Sequence, residues 1–351
     1  LGTRPNIVKT APVIAAVRRR LPEATNTIIH TGQHYDPSMS AIFLAELEVP
    51  VPDHTLGVGS GSHAQQTARV MERLEPVLLE EQPDLVMVPG DVNSTLAATL
   101  TAVKLLVPVA HIESGLRSFD RTMPEEINRI VADEFSDLLF LHSQEAVENL
   151  RAEGIGEDRM RFVGNTMIDT LVALEGRFRA AEAASRLGLD AGSYLLVTLH
   201  RPALVDGALL EQTMRELAAV SARLPVVFPV HPRTRKMMEG VDLEAPDLHL
   251  IEPVGYLDFL SLEVDAAAVL TDSGGIQEET TYLGIPCFTL RDNTERPVTV
   301  RAGTNTLLGL DPQRIGEIPE RLEALDPEPV EPPPLWDGHA AERIADALAD
   351  L

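Results

Sequence analysis

The residues best placed to do chemistry are polar groups that end apolar runs. Asp91 closes "LVMVPGD", Glu113 closes "VAHIE", His200 closes "LLVTLH", His231 closes "VFPVH" and Asp272 closes "AVLTD". Carboxylates and imidazoles at such points can move protons as positioned acids and bases. Just beyond Asp272 comes Ser273-Gly274-Gly275, then a helical stretch carrying Glu278 and Glu279. Two glycines let a ligand approach the backbone closely, and the free N–H groups of a first helical turn bind phosphate. The two acids therefore need partners other than an anion. Arg4, Arg201 and Arg296 are the cations read here as phosphate contacts. Taken singly, each strand-final residue is also an ordinary helix cap, and Glu125, after Pro124, is also an ordinary first-turn acid. Their repetition at equivalent places in two series favours a shared cleft.

The elements that position them alternate regularly. "DLVMVPGD", "PVAHIES", "LLFLHS" and "RFVGNT" are separated by the helical stretches "NSTLAATLTAVKLL", "EEINRIVADEF" and "QEAVENLRAEG". The apolar runs are continuous rather than alternating, as expected of parallel strands buried on both faces. After "MIDTLVALEGRFRAAEAASRLGL" the pattern restarts with "SYLLVTLH", "PVVFPVHP", "LHLIEP", "AAVLTDSG" and "PCFTLR". Two βα series predict an α/β protein of two Rossmann-like, doubly wound domains, with the link between Asn165 and Gly192. A length of 351 residues agrees with two cores. "EALDPEPVEPPPLWDG" reads as a Pro-rich surface connector before a last amphipathic helix, "AAERIADALADL".

Composition sets the surroundings. A formal charge of -25, from 54 acidic against 29 basic residues, argues against a nucleic-acid partner while leaving room for a nucleotide held by a few arginines. The single cysteine, Cys287, gives no intramolecular disulfide framework, and no apolar run has the length of a membrane span, so a cytoplasmic setting without membrane or nucleic-acid partners is expected. The start at "LGTRPN" suggests further residues ahead of Leu1. His30, His34, His54, His63 and His249 fit no metal-ligand spacing, so no metal is expected.

"GTRPNIVKTAPVI", "TGQHYD", "GD" with "NST", "AHIESGLRS", "MPEEINR", "FVGNTMIDTL", "VTLHR", "TDSGGIQEE" and "RDNTERPVTVRAGTN" follow one another from Leu1 to about Gly309. In this order they resemble the non-hydrolysing UDP-N-acetylglucosamine 2-epimerases. The resemblance implies a glycosyltransferase-B-like architecture, two Rossmann-like domains facing across a cleft. Residues 1–168 would form the domain with the catalytic carboxylates and 169–330 the UDP-binding domain, with 331–351 returning to the first. It implies reversible C2 epimerisation of UDP-GlcNAc to UDP-ManNAc, through anti elimination of UDP to 2-acetamidoglucal and re-addition. No cofactor is needed, because the C2 hydrogen leaves as a proton. By the same resemblance, Asp91, Glu113, Glu125, Arg129 and His200 match catalytic positions. Arg4, Lys9, Arg201, His231, Ser273, Gly274, Gly275, Glu279 and Arg296 match substrate or UDP positions, with Glu279 taking the ribose hydroxyls. A homodimer is likewise implied. The alternatives are a hydrolysing 2-epimerase, an epimerase of a modified UDP-sugar, and a GT-B transferase or binding protein. The chain departs from the family pattern at Asn6, Val8, Pro202 and Leu204; the last two fall in a block that helps some members bind a second, activating UDP-GlcNAc, and the resemblance leaves open whether such activation carries over.

Overall fold

The computed structural model describes residues 4–32, 44–205, 207–238, 245–325 and 330–351. Most of "TGQHYD", from Gln33 onward, lies outside them, as does the side chain of Arg4. The chain divides into two compact units, Leu1–Ala173 with Pro334–Leu351, and Leu174–Pro333. Among the described residues no helix is long and apolar enough to cross a membrane.

The first unit is built on a parallel four-stranded sheet in the order β3 (Val86–Pro89), β4 (Val109–Ile112), β5 (Leu138–Leu141), β6 (Met160–Phe162). A short parallel pair, β1 (Ile29–His30) and β2 (His54–Thr55), accompanies it. Helices cover both faces, which is why the strand sequences are apolar throughout. On one face Val70, Leu74 and Leu78 of the helix His63–Glu81 pack with Val88, Ala97 and Val109. That helix starts at a reciprocal cap in which Ser62 Oγ accepts from Gln65 N–H while Gln65 Oε1 accepts from Ser62 N–H. On the other face Val13, Ala16 and Val17 of the helix Arg4–Arg20 pack with Ala341, Ile344 and Ala345 of the last helix, Ala340–Ala349, over Ile112 and Phe140.

The last segment is therefore core material of the first unit. Trp336, 2% exposed, donates its indole N–H to the His142 carbonyl at 2.9 Å. Gly164, at φ 92°, lets the chain pass: a Cβ there would lie 2.0 Å from the Leu335 carbonyl oxygen.

The second unit holds a parallel six-stranded sheet in the order β12 (Asn305–Leu307), β11 (Cys287–Thr289), β10 (Ala268–Thr271), β7 (Leu195–Thr198), β8 (Val226–Pro229), β9 (Leu248–Ile251). Five of these strands are the apolar runs read from sequence; β12 is the addition, too short at three residues to show a pattern. Leu195 and Val197 face one core with Met214 and Leu217, whereas Tyr194 and Leu196 face another with Leu262. That is the two-residue period of a strand buried on both sides. Sequential numbering reverses between β7 and β10, the topological switch point at which such sheets bind ligands beyond their strand ends.

Candidate active site

In the first unit the exits of β3, β4 and β5 carry Asp91, Glu113 and His142. Glu113 has a left-handed backbone, φ 67°, uncommon for a residue with a side chain, and forms a buried ion pair with Lys9. Lys9 projects from the helix Arg4–Arg20. The two line a small pocket with His142, Asn165 and Thr166, backed by Ile112, Phe140 and Val163. Asn165 Oδ1 accepts from Met167 N–H at 2.9 Å, while its buried Nδ2 has no hydrogen-bond partner among the described residues. Asn6, one of the departures from the family pattern, donates to the Pro89 carbonyl at 3.0 Å, bracing the turn before Asp91.

Asp91 accepts from Arg129 Nη2 at 2.5 Å, and its carbonyl accepts from Asn128 Nδ2 at 2.8 Å. Arg129 is 2% exposed and is also ion-paired with Glu126. Glu126 is itself buried and accepts from Ser118 N–H at 2.9 Å, Ser118 Oγ at 3.0 Å and Phe119 N–H at 2.9 Å. Its neighbour Glu125 is half-buried in the first turn of the helix Pro124–Phe135 and has no hydrogen-bond or ion-pair partner among the described residues. The two adjacent acids thus differ: one is consumed by the loop, the other is available.

A second layer holds these exits in place. His111, fully buried inside β4, bridges Asp133 (Nδ1 to Oδ1, 2.7 Å) and the Gly90 carbonyl (Nε2, 2.7 Å). Asp133 also accepts from Gly115 N–H at 3.0 Å and Arg117 Nη1 at 2.7 Å, and Arg117 makes a two-pronged bond to Glu153. Burial alone would raise Asp133, but its bonds from His111 and Arg117 prevail and hold it below the usual carboxylate range.

In the second unit the helix Gly274–Leu283 starts at the end of β10 with Ser273 as its first cap residue. Ser273 N–H donates to Thr271 Oγ1 at 3.0 Å, leaving the turn extended. Arg296 lies against this turn: a Cβ on Gly274 would come within 2.3 Å of Arg296 Nη1 and 2.8 Å of Glu295 Oε1. The glycine is required for that approach. Arg296, 4% exposed, binds Glu278 Oε1 at 2.7 Å through Nε and Glu295 Oε1 at 2.5 Å through Nη1. Glu279 accepts from Tyr256 O–H at 2.6 Å. The two acids near the helix start thus find partners of their own, a cation and a hydroxyl. Burial pushes Glu279 up to about 7, with Glu278 adding to the rise and the Tyr256 bond opposing it. Glu263, fully buried with neither carboxyl oxygen bonded among the described residues, is pushed well above the carboxylate range by burial and by Glu279.

At the switch point Asp272, fully buried, accepts from His200 N–H at 3.0 Å and Arg201 N–H at 2.8 Å, and pairs with His200 Nδ1 at 2.7 Å. The His200 side chain is 63% exposed. Arg201 Nε adds a bond to the Asp272 carbonyl at 3.3 Å. His231 follows β8 and is exposed, and Leu204 is wholly buried in the core of the second unit.

The expected residues therefore gather in two groups. Lys9, Asp91, Glu113, Glu125 and Arg129 lie at one end of the first unit's sheet, and His200, Arg201, His231, Ser273, Gly274, Gly275, Glu279 and Arg296 belong to strand exits or the phosphate-type turn of the second. Sequence reasoning passed over His142, Glu126, Asn165 and Tyr256. His142 was open to discovery, since it closes "LLFLH" as Glu113 closes "VAHIE"; the others carry no local pattern.

Parallel sheets flanked by helices, with polar strand exits and a glycine turn opening a helix, define a two-domain Rossmann-like α/β enzyme. A family model described as UDP-N-acetylglucosamine 2-epimerase matches residues 16–349. A UDP-N-acetylglucosamine 2-epimerase of Methanocaldococcus jannaschii is 42% identical over 364 aligned positions, covering 99% of this chain and 97% of its own. A UDP-2,3-diacetamido-2,3-dideoxy-D-glucuronate 2-epimerase of Pseudomonas aeruginosa is 40% identical over 357 positions, covering 100% and 98%. Among solved structures, the M. jannaschii UDP-GlcNAc 2-epimerase in complex with UDP-GlcNAc and UDP superposes with a TM-score of 0.87 at 40% identity, covering 100% of this chain and 98% of that one. A transferase of Siraitia grosvenorii, 11% identical with a TM-score of 0.60, shares the fold. The chain belongs to the UDP-N-acetylglucosamine 2-epimerase family.

Proposed function

We propose that the chain interconverts UDP-GlcNAc and UDP-ManNAc without hydrolysing them. The observation that carries this reading is the Lys9–Glu113 ion pair at the exit of β4, one strand from Asp91 and its Arg129 partner. A carboxylate of this group takes the proton from C2. The electrons of that C–H bond form the C1–C2 double bond of 2-acetamidoglucal, and those of the C1–O bond leave with UDP. Re-addition of UDP to C1 with proton delivery to the opposite face of C2 gives the epimer. Separated carboxylates suit a base on one face and an acid on the other, with Asp91, Glu113 and Glu125 as the candidates and Arg129 and His200 as further active-site groups. The amides of Gly274 and Gly275, in the turn that Ser273 opens, and Arg296 stabilise the departing diphosphate. Glu279 accepts from the ribose, and Arg4, Lys9, Arg201 and His231 complete the contacts to UDP-sugar. The hydrogen leaves as a proton, so the step calls for no hydride acceptor. The reading carries with it a cytoplasmic homodimer, to be checked by light scattering.

The similarity to the P. aeruginosa relative supports a second substrate, a 2,3-diacetamido uronate carried on UDP. Incubation in deuterium oxide decides between them. With UDP-GlcNAc, both UDP-sugars should be recovered with deuterium at C2. Exchange only with the diacetamido uronate favours the second reading, and free N-acetylmannosamine with UDP identifies a hydrolase. No exchange with either sugar overturns the epimerase reading.

A further inference from the structure

Pairing of Thr271 with Thr198 across β10 and β7 brings the residues after both strands side by side. Asp272 follows one strand and the Leu199–Arg201 turn follows the other. With no exposed surface of its own, Asp272 reaches no ligand, yet every bond described for its carboxylate goes to that turn. Two are backbone amides, which fix where the turn runs. The third is the imidazole of His200, held by Nδ1 at 2.7 Å. A ring gripped at Nδ1 has one nitrogen left to offer, Nε2, and the 63% exposure of the side chain leaves it open to solvent and ligand. The next residue after Asp272 is Ser273, the start of the phosphate-type turn.

We propose that Asp272 is a positioning residue for the epimerase reaction, holding His200 with a proton on Nδ1 so that Nε2 faces the nucleotide diphosphate at the Ser273–Gly275 turn. This rests on the reading that His200 serves the reaction. When the diphosphate is bound, Nε2 carries a second proton toward a phosphate oxygen, and the Asp272 carboxylate balances the charge of the ring. That role requires an ionised carboxylate. Burial would raise it, but the bonds from the His200 ring and the two amides hold it below the usual range. Without the carboxylate the ring can rotate or shift its proton to Nε2, losing either aim or balance.

The test uses the full chain and an Asp272→Asn variant. Asparagine keeps one oxygen for the two amides but presents an N–H₂ group to Nδ1. Nitrogen NMR of the His200 ring should show Nδ1 protonated in the native protein, with a downfield, slowly exchanging proton. In Asp272→Asn that proton should vanish. Turnover should fall by about 10–100-fold, with KM changed much less than kcat. His200→Asn should lose turnover to a similar extent, and the double variant should be no worse than the poorer single one. A folded Asp272→Asn that keeps turnover within about three-fold, or keeps the Nδ1 proton, overturns the proposal while leaving the epimerase reading intact. Full turnover in His200→Asn overturns both the proposal and the catalytic role of His200. Should Asp272→Asn not fold, the native ring decides: a neutral ring protonated on Nε2 overturns the proposal, and Nδ1 protonation joined to the His200→Asn loss supports it.

Discussion

Tyr256 and Glu279 are joined by a hydrogen bond of 2.6 Å from the phenol to a carboxyl that burial has lifted to about 7. An ordinary glutamate in the unfolded chain titrates near 4.5. Between these values the folded protein keeps a proton that the unfolded chain has released. Stability therefore falls as pH rises from about 4.5 to about 7, on the order of 3 kcal/mol for this group, and then levels. Glu263 adds a fall of the same sign. Glu279→Gln should flatten part of this slope and make the protein more stable at pH 8 than the native chain. Urea midpoints at pH 5 and pH 8 measure it. An unchanged slope in Glu279→Gln contradicts the assignment of that proton.

Asp169 governs the attachment of the last helix. Its two oxygens accept from Ala340 N–H at 3.1 Å and Ala341 N–H at 2.6 Å, capping a helix 171 residues away in sequence. Burial pushes this carboxyl up to about 6 although both amide bonds pull it down. Asp169→Ala should cost about 1–2 kcal/mol, the usual worth of a cap. It should also free the segment around Trp336 for proteolysis before the rest of the first unit is cut. Digestion of native and variant protein that proceeds at equal rates there would discount the cap.

Much of this arrangement can be read along the chain, and what cannot is buried pairing over long separations. Asp91, Glu113, His200, His231 and Asp272 are visible because a parallel sheet ends its apolar runs at the ligand side, a local signal. Ser273 to Gly275 is legible for a similar reason. By contrast, Arg117 finds Glu153 and Asp133, Thr170 finds the Val8 carbonyl, and Trp336 finds His142 only once the sheet has assembled. The roles of Glu125 and Glu126 are also indistinct in "MPEEINR": both are first-turn acids, and a rotation of about 100° per residue sends one inward and the other to the half-exposed side.

Arg296 illustrates how such pairing changes an expectation. From sequence it is a phosphate contact whose loss should weaken UDP binding far more than it changes stability. In the fold it also offsets Glu278 and Glu295, both buried, while Arg291 serves Glu295, at 2.6 Å. Arg296→Ala takes the cation away from Glu278, and breaking such a buried pair costs about 3–5 kcal/mol. Urea denaturation should show that loss, and calorimetry should show weaker UDP binding at temperatures where the variant is folded. Stability within about 1 kcal/mol of native would mean that the ion pairs are not maintained in solution.

The adjacent glutamates of the helix Pro124–Phe135 give the sharpest separation of chemistry from structure. Glu126 is spent on the 118–119 backbone, the Ser118 hydroxyl and Arg129, all away from water. A Glu126→Gln change keeps the shape but loses one of the negative charges that offset the buried Arg129 guanidinium. It should destabilise the protein by about 3–5 kcal/mol. Glu125→Gln breaks no described bond, so stability should stay within about 0.5 kcal/mol of native. If Glu125 is an acid or base of the reaction, the same change should cut C2 deuterium exchange by about 100-fold or more. Thermal melts and exchange rates measured on both variants should therefore diverge in opposite directions. A Glu125→Gln protein that exchanges at the native rate removes Glu125 from the reaction. The base and acid would then have to be found between Asp91 and Glu113.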